Sequence, residues 1–298
     1  MDLQEVRRRI AAADNDQAIL DRQEFESFCS SVVASLPRTV ETAPERAWAY
    51  EQIINLRIED GRPARALRVF KQYLGDCAPA ADAAYDAMYQ TGLNATGTGI
   101  TPLHRRDRFF SLVQLFRKTL ALEGMVAECG CFRGLSSYLL CSTLQQADAA
   151  FDGRGYRIFD SFAGLSAPSQ EDAIEGEGAQ VGRLRHMTRA GNFAASLDKV
   201  KAALSAFPRI DYFPGWIPAA FPQEDGVRYR FVHVDVDVYQ PTRDSIEYFY
   251  PRLVPGGVIV CDDYNWPGAR QAIEEVCARV GAEFATTPYT QAYIVRRA

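Results

Sequence analysis

The sequence predicts an α/β fold in which helices cover a mostly parallel β-sheet, with a helical region before it. Short apolar runs of strand length alternate with helix-length periodic segments from about residue 104 onward. Residues 1 to about 90 show helical patterns alone, and a Gly/Thr-rich stretch at 91–103 separates the two parts. We therefore predict a helical N-terminal region at 1–92 and an α/β domain at 93–298.

Each element follows from the spacing of apolar residues and from the turn residues that flank it. In the N-terminal region, helical spacing predicts helices over three segments, which are 21–36, 48–58 and 64–74. In the second part the predicted strands are 125–129, 156–160, 209–213, 229–235, 257–262, 283–286 and 291–295. The helices predicted between them are 104–122, 134–146, 192–206, 241–250 and 267–280. The short turn between the last two strands predicts an antiparallel hairpin.

The turn after the first predicted strand has a ligand-binding pattern. Glu128, Gly130 and Gly134 form E-x-G-x-x-x-G, where glycines allow a ligand to approach the backbone closely. The dinucleotide pattern G-x-G-x-x-G is not met at this turn, and the chain has no P-loop motif. The looser pattern is typical of S-adenosylmethionine sites. The alternative is a tight turn in which Glu128 makes a structural ion pair.

The next two predicted strands also end in residues suited to a nucleoside. Asp160 and Ser161 follow the second strand, and a carboxylate there can accept hydrogen bonds from both ribose hydroxyls. Helix capping is the alternative for these two residues. Gly215 and Trp216 follow the third strand, where an aromatic ring could stack on adenine. The alternative for Trp216 is a tryptophan buried in the core.

Carboxylates end two later strands that a predicted helix connects. Asp235 and Asp237 follow one strand, and Asp262 and Asp263 follow the next. Parallel strands bring their carboxyl ends to one edge of the sheet, so these groups should converge and repel one another unless a cation binds. Oxygen ligands favour Mg²⁺, Ca²⁺ or Mn²⁺. His233 lies on the same strand, and we expect it to be a buried, hydrogen-bonded residue rather than a catalytic one.

Composition excludes some classes of protein and leaves others open. The net charge of −5 argues against a nucleic-acid surface, and no apolar run reaches the length of a membrane span. The N-terminus lacks a signal peptide, and the seven cysteines form no C-x-x-C pair, so we expect a cytoplasmic protein with reduced thiols. Residues 163–191 are long for a connection, and Arg183, Arg185, His186 and Arg189 suggest a lid or a binding loop.

Six segments together resemble the macrocin and mycinamicin O-methyltransferase family, the TylF type of class I methyltransferases. They read VAECGCFRG (126–134), FDSFAGL (159–165), FPGW (213–216), HVDVDVYQPT (233–242), YPRLVPGG (250–257) and DDYNWPGAR (262–270). The resemblance covers roughly residues 95–298. It implies a Rossmann-like fold with a seven-stranded, mostly parallel sheet that has its last strand antiparallel and helices on both faces. The first 90 residues depart from the family, whose members are shorter there.

The resemblance also implies a function and its residues. It implies methyl transfer from S-adenosylmethionine to a hydroxyl, with Mg²⁺ or another divalent cation, on a sugar of a natural product or glycoconjugate. Asp235, Asp262 and Asp263 match the cation positions, and Asp235 also matches the proposed base, with Asp237 as the second candidate. The full set of predicted cofactor contacts is Thr101, Glu128, Gly130, Arg133, Gly134, Ser136, Asp160, Ser161, Gly215 and Trp216.

Two other classes of protein remain open at this stage. A catechol-type methyltransferase acting on a phenol is one, although no lysine occurs between Val236 and Thr242, where such an enzyme would be expected to have one. A non-catalytic assembly module that keeps the fold is the other, and the intact carboxylates argue against it. As partners we expect a small-molecule or glycosylated acceptor and further copies of the chain, with neither nucleic acid nor membrane.

Overall fold

A computed structural model describes residues 2–14, 22–36, 42–60, 65, 69, 83–98, 103–174, 185, 188–223, 226–287 and 289–297. The chain forms two compact units, of which the first contains Met1–Ala87 with two short later stretches and the second contains the sheet. The border at Ala87 lies inside a helix, Ala83–Ala95. The predicted division into 1–92 and 93–298 stays a prediction. Within the described residues, every helix is too short or too polar to span a bilayer.

Among the described residues of the first unit, three helices pack on one apolar cluster. They are α1 (Leu3–Asp14), α2 (Arg22–Ser35) and α3 (Ala43–Glu59). The cluster includes Phe28 and Val32 of α2, and the ring of Trp48 from α3 lies edge-on to Phe28, with 6.3 Å between ring centroids. The guanidinium of the buried Arg46 donates hydrogen bonds to backbone carbonyls at the end of α2. The helix predicted at 64–74 lies almost entirely outside the described residues.

The second unit has a seven-stranded sheet with the order β3-β2-β1-β4-β5-β7-β6. Its strands are β1 (Met125–Cys129), β2 (Tyr156–Asp160), β3 (Asp211–Pro214), β4 (Tyr229–Val234), β5 (Leu253–Cys261), β6 (Phe284–Thr286) and β7 (Ala292–Val295). Strands β1 to β5 pair in parallel, whereas β7 runs antiparallel to both β5 and β6. The predicted fold class, including the closing hairpin, is confirmed.

Of the described helices outside the first three, two precede β1 and four lie between strands along the chain. They are α4 (Ala83–Ala95), α5 (Leu103–Arg117), α6 (Leu135–Ala147), α7 (Leu197–Ala203), α8 (Tyr239–Phe249) and α9 (Pro267–Val280), with short 3-10 turns at Gln170–Asp172 and Tyr250–Arg252. Helix α9 has the predicted bounds. Pro241 lies in the first turn of α8, where its missing N–H leaves no intrahelical bond unmade.

Two helices are shorter than predicted, and local backbone chemistry explains both. The helix predicted from residue 192 begins at Leu197; it cannot include Phe193, which has a left-handed φ of 59°, and its N-cap residue Ser196 is extended. The helix predicted to reach residue 122 ends at Arg117. Beyond it, the Thr119 hydroxyl donates to the Phe116 carbonyl at 2.8 Å, a local bond that competes with the helical ladder.

The core beneath the sheet is rich in aromatic rings. Phe159 of β2 stacks on Phe213 of β3 with 4.6 Å between centroids, and it meets Phe249 of α8 edge-on at 5.7 Å. Phe221 lies edge-on to Phe159 at 5.3 Å. Such pairs add packing energy beyond their buried area. They anchor α8 to the sheet, and α8 begins directly after the acidic segment described below.

Candidate active site at the carboxyl edge of the sheet

The acidic residues emerge together because the parallel ladder continues for one residue beyond the strands. The Asp235 N–H donates to the Cys129 carbonyl at 2.8 Å, so the pairing of β1 with β4 extends to Asp235. The Asp262 N–H donates in the same way to the Val234 carbonyl at 2.9 Å. Backbone pairing therefore places the start of both acidic segments at the carboxyl edge of the sheet, as the sequence predicts.

Three carboxylates converge at this edge. One ligand oxygen from each of Asp235, Asp237 and Asp263 lies within 4.8 Å of the other two. Alternation along a regular strand does not explain why Asp235 and Asp237 lie together, because β4 ends at Val234. Asp237 instead has a left-handed φ of 60° in a tight turn. The Val238 N–H donates to the Val236 carbonyl at 2.7 Å in this turn, which returns the Asp237 side chain toward Asp235.

The predicted cation ligands fall into two overlapping groups. Asp263 converges with Asp235 and Asp237, whereas Asp262 converges with Asp235 and His233. Asp262 is fully buried, and its Oδ1 receives the side-chain N–H of Gln291 at 2.7 Å. Asp235 is the member that both groups share. Sequence reasoning missed Gln291 as a neighbour, since no local pattern relates it to Asp262.

His233 lies between two buried carboxylates. Its Nδ1 is 2.9 Å from Glu128 Oε1, and its Nε2 is 3.2 Å from Asp262 Oδ1. Burial acts to lower the pKa of His233, but Asp262 and Glu128 outweigh it and raise that pKa well above its usual range. The ring is fully buried and hydrogen-bonded, as predicted. It therefore contacts side chains rather than solvent at the site.

Glu128 has both carboxylate oxygens inside a buried network. Oε1 meets His233, while Oε2 accepts hydrogen bonds from the Ser137 hydroxyl and, at 3.1 Å, from the Tyr156 hydroxyl. Burial and the Glu128 charge raise the pKa of Tyr156 well above its usual range, so the phenol remains a donor. These contacts match the structural alternative given for Glu128. Its direct contact with a cofactor stays a prediction.

The turn after β1 is packed against the acidic segment. Gly130 has a left-handed φ of 79°, and a Cβ placed there would lie 1.9 Å from the Asp235 carbonyl oxygen. Glycine is therefore required by the neighbouring backbone, whatever ligand approaches from outside. Gly134 has a φ of 88° and is the N-cap residue of α6. The predicted glycine positions thus have structural reasons of their own.

Asp160 joins the turns that follow the first two strands. Its Oδ2 accepts the Cys131 N–H at 2.7 Å, and its Oδ1 accepts the Phe162 N–H at 2.6 Å. The backbone carbonyl of Asp160 accepts the Gly215 N–H at 2.9 Å, which adds the end of β3. Three of the predicted cofactor segments therefore meet around this one residue.

The other predicted cofactor residues differ in their exposure. Trp216 is 48% exposed, so the alternative of a buried core tryptophan is wrong and its ring is available to a ligand. Arg133 is exposed and donates to the Gly97 carbonyl at 2.8 Å, whereas Ser136 is buried. The Ser161 hydroxyl donates to the Gly164 carbonyl at 2.8 Å. Thr101 lies outside the described residues.

The first part of the predicted lid is attached to the helices beside the site. The buried Asp172 accepts the N–H of Tyr239 at 2.7 Å through Oδ1 and that of Ser169 at 2.8 Å through Oδ2. Tyr239 is the first residue of α8, and its N-cap residue Val238 has no side-chain acceptor. Asp172 therefore caps α8 from a distance. Arg183 and His186 lie outside the described residues.

The fold of the second unit is similar to that of solved methyltransferase structures. The similarity to the O-methyltransferase NovP covers 72% of this chain and 99% of the NovP chain, at 20% identity and a TM-score of 0.57. The similarity to a calicheamicin methyltransferase covers 70% of this chain and 91% of that enzyme's chain, at 18% identity and a TM-score of 0.55. Identities this low establish similarity of fold alone.

The sequence comparisons then give the family. A family model described as macrocin-O-methyltransferase (TylF) matches residues 78–284, and the chain belongs to that family. One relative is the 8-demethyl-8-(2,3-dimethoxy-alpha-L-rhamnosyl)-tetracenomycin-C 4'-O-methyltransferase of Streptomyces olivaceus, which is 29% identical over 54% of this chain and 60% of the relative. Another is the mycinamicin III 3''-O-methyltransferase of Micromonospora griseorubida, 30% identical over 54% of this chain and 63% of the relative. The matched region thus spans less than two thirds of either relative.

Proposed function

We propose that this protein transfers a methyl group from S-adenosylmethionine to a hydroxyl of a sugar in a natural product or glycoconjugate, with the help of a divalent cation. The observation that carries the proposal is the convergence of Asp235, Asp237 and Asp263 beside the turn after β1, in a chain of the TylF family. The two relatives named above are O-methyltransferases by name, and one name specifies a rhamnosylated molecule. A cytoplasmic location and a homo-oligomer accompany the proposal.

The donor set fits a hard cation. Asp235, Asp237 and Asp263 offer only oxygen atoms, and oxygen ligands favour Mg²⁺, Mn²⁺ or Ca²⁺. Two charged carboxylates at 4.8 Å repel by roughly 3 kcal/mol at an effective dielectric of about 20. A bound cation attracts each carboxylate and so offsets that repulsion. Asp262, the third predicted cation ligand, has a ligand oxygen within 4.8 Å of one from Asp235.

The protein residues have distinct tasks in this reaction. When bound, the divalent cation supplies positive charge that favours loss of the acceptor hydroxyl proton. Asp235 or Asp237 would accept that proton, and bound S-adenosylmethionine would supply the methyl group, with the carbon–sulfur electron pair left on its sulfur. The exposed Trp216 offers an aromatic face for the adenine ring. The ends of the strands would position the methyl donor and the acceptor, and such positioning supplies much of the rate enhancement in reactions of this kind.

The decisive test measures transfer of a labelled methyl group to a panel of rhamnosylated polyketides. We expect EDTA to reduce the rate by about 100-fold or more and added Mg²⁺ to restore it, because Lewis-acid stabilisation is worth several kcal/mol. Asp263→Asn should have a similar effect while leaving the affinity for S-adenosylmethionine within about threefold, because the predicted cofactor contacts lie at the ends of β1 to β3.

A carboxylate on the surface of α8 supplies the matched control. Asp244 pairs with Gln240 within the helix, so Asp244→Asn changes the charge equally without touching the acidic group. It should retain full activity. Full activity in EDTA, or an unimpaired Asp263→Asn variant, would contradict the cation-dependent mechanism. Absence of S-adenosylmethionine binding to the wild-type protein would contradict methyl transfer itself.

A further inference from the structure

A buried row of side chains crosses three adjacent strands at the site. Glu128 on β1 is in register with His233 on β4, and Asp262 directly follows β5. The two ring nitrogens of His233 bridge the carboxylates, at 2.9 Å to Glu128 and 3.2 Å to Asp262. All three side chains are fully buried. Such a row has a cost in desolvation unless each group is held by its neighbours.

Each end of the row borders a different part of the proposed site. Glu128 lies two residues before Gly130, at the turn predicted to hold the cofactor. Asp262 belongs to a cation-type group with Asp235 and precedes Asp263. Oδ1 of Asp262 accepts a hydrogen bond from the Gln291 side-chain amide, and the same oxygen faces His233 Nε2. These two side chains orient the Asp262 carboxylate. His233 connects the Asp262 side of this row to Glu128.

We propose that His233 is a positioning residue, which orients Asp262 for the divalent cation and connects that carboxylate to Glu128 under the cofactor turn. The inference rests on the proposed function, because it assigns a partner to the cation site. His233 itself touches neither the cation nor the substrate in this view. Groups that hold and orient metal ligands commonly change metal affinity by about 10- to 100-fold when they are removed.

Two substitutions separate this role from simple core packing. The amide nitrogen of Asn can replace Nδ1 of the ring and keep the contact with Glu128. The amide nitrogen of Gln reaches further, so it can replace Nε2 and keep the contact with Asp262. A positioning role predicts that the two variants differ in cation affinity, whereas a packing role predicts equal losses. His233→Gln and His233→Asn therefore serve as each other's controls.

The experiment titrates the full-length protein with Mn²⁺ and follows free Mn²⁺ by electron paramagnetic resonance, without acceptor. We expect His233→Asn to bind Mn²⁺ about 10- to 100-fold more weakly than wild type, and His233→Gln to remain within about threefold. Calorimetry with S-adenosylmethionine provides a second readout, in which His233→Gln, having lost the Glu128 contact, should be the weaker binder of the two. Circular dichroism confirms that both variants are folded.

The outcomes separate this inference from the proposed function. Equal Mn²⁺ affinities in the Asn and Gln variants would overturn the inference while leaving the cation site intact. A wild-type protein that binds no Mn²⁺ would overturn both. Should His233→Asn fail to fold, Gln291→Met removes the hydrogen-bond donor to Asp262 Oδ1 while sparing the contact of His233 with Glu128. Weakened Mn²⁺ binding in that variant would support orientation of Asp262 by its two neighbours, and unchanged binding would overturn it.

Discussion

Substituting alanine at Gly130 tests how the turn after β1 and the acidic segment pack together. Gly155 provides the matched control, because its φ of 82° is close to the 79° of Gly130. A Cβ on Gly155 would meet nothing within 4 Å, whereas a Cβ on Gly130 would lie 1.9 Å from the Asp235 carbonyl oxygen and 2.9 Å from its carbonyl carbon. The two substitutions therefore share the same backbone strain and differ in the collision.

The expected free energies follow from these two contributions. A left-handed backbone costs alanine about 1 kcal/mol relative to glycine, and both variants should lose that much stability. At Gly130 the Asp235 backbone must also move by more than 1 Å to restore ordinary contact, and such overpacking typically costs about 1–3 kcal/mol. We expect Gly155→Ala to lose about 1 kcal/mol and Gly130→Ala about 2–4 kcal/mol.

Urea denaturation followed by circular dichroism measures both values, and Mn²⁺ titration adds a functional readout. Because the collision displaces Asp235, Gly130→Ala should also weaken Mn²⁺ binding by about tenfold, while Gly155→Ala should leave it unchanged. Equal destabilisation of the two variants, with equal Mn²⁺ affinity, would refute the packing explanation. Gly130 would then have to be explained by close approach of a ligand, as the motif alone suggests.

Two further predictions concern a distant helix cap and the buried thiols. Asp172→Ala leaves the Tyr239 N–H without its carboxylate acceptor and should lower the free energy of unfolding by about 2–3 kcal/mol, measured by urea denaturation. Asp244→Ala, on the surface of α8, should lower it by less than about 0.5 kcal/mol. Similar values for the two variants would contradict the capping role. Burial raises the pKa of Cys277 to about 11 and that of Cys29 to about 12, so these thiols stay protonated at pH 8. Both should react slowly with Ellman's reagent at that pH until urea is added. Fast reaction of both thiols in the native protein would contradict this prediction.

The parallel sheet could be predicted because its strands are short, buried apolar runs. Strands β1 and β2 have the predicted bounds, since each run ends in a turn residue that stops it. The short turn between the last two strands predicted their antiparallel pairing, whereas the order of the strands was not predicted, because no local pattern encodes it. Local signals failed where one backbone angle decides the outcome, as at Phe193, whose left-handed φ delays α7.

The candidate site could be predicted as a set of residues but not as a set of contacts. Carboxylates after neighbouring parallel strands must meet, so Asp235 and Asp263 were visible in the sequence. The left-handed turn at Asp237 was not, because nothing in V-D-V-D-V distinguishes it from a continuing strand. The contact of Gln291 with Asp262 depends on the register of β7 against β5, which no short-range pattern encodes.

The structural bonds of Asp160 are compatible with the ribose contact that the sequence predicts for it. Both of its oxygens already accept a backbone N–H, from Cys131 and from Phe162. A carboxylate has about four acceptor positions, so these bonds leave room for two ribose hydroxyls. The same two bonds fix the plane of the carboxylate before any ligand arrives, which lowers the entropy that binding would otherwise lose. The turns after β1 and β2 thus hold Asp160 in one orientation, and that orientation is what a nucleoside at this edge of the sheet would meet.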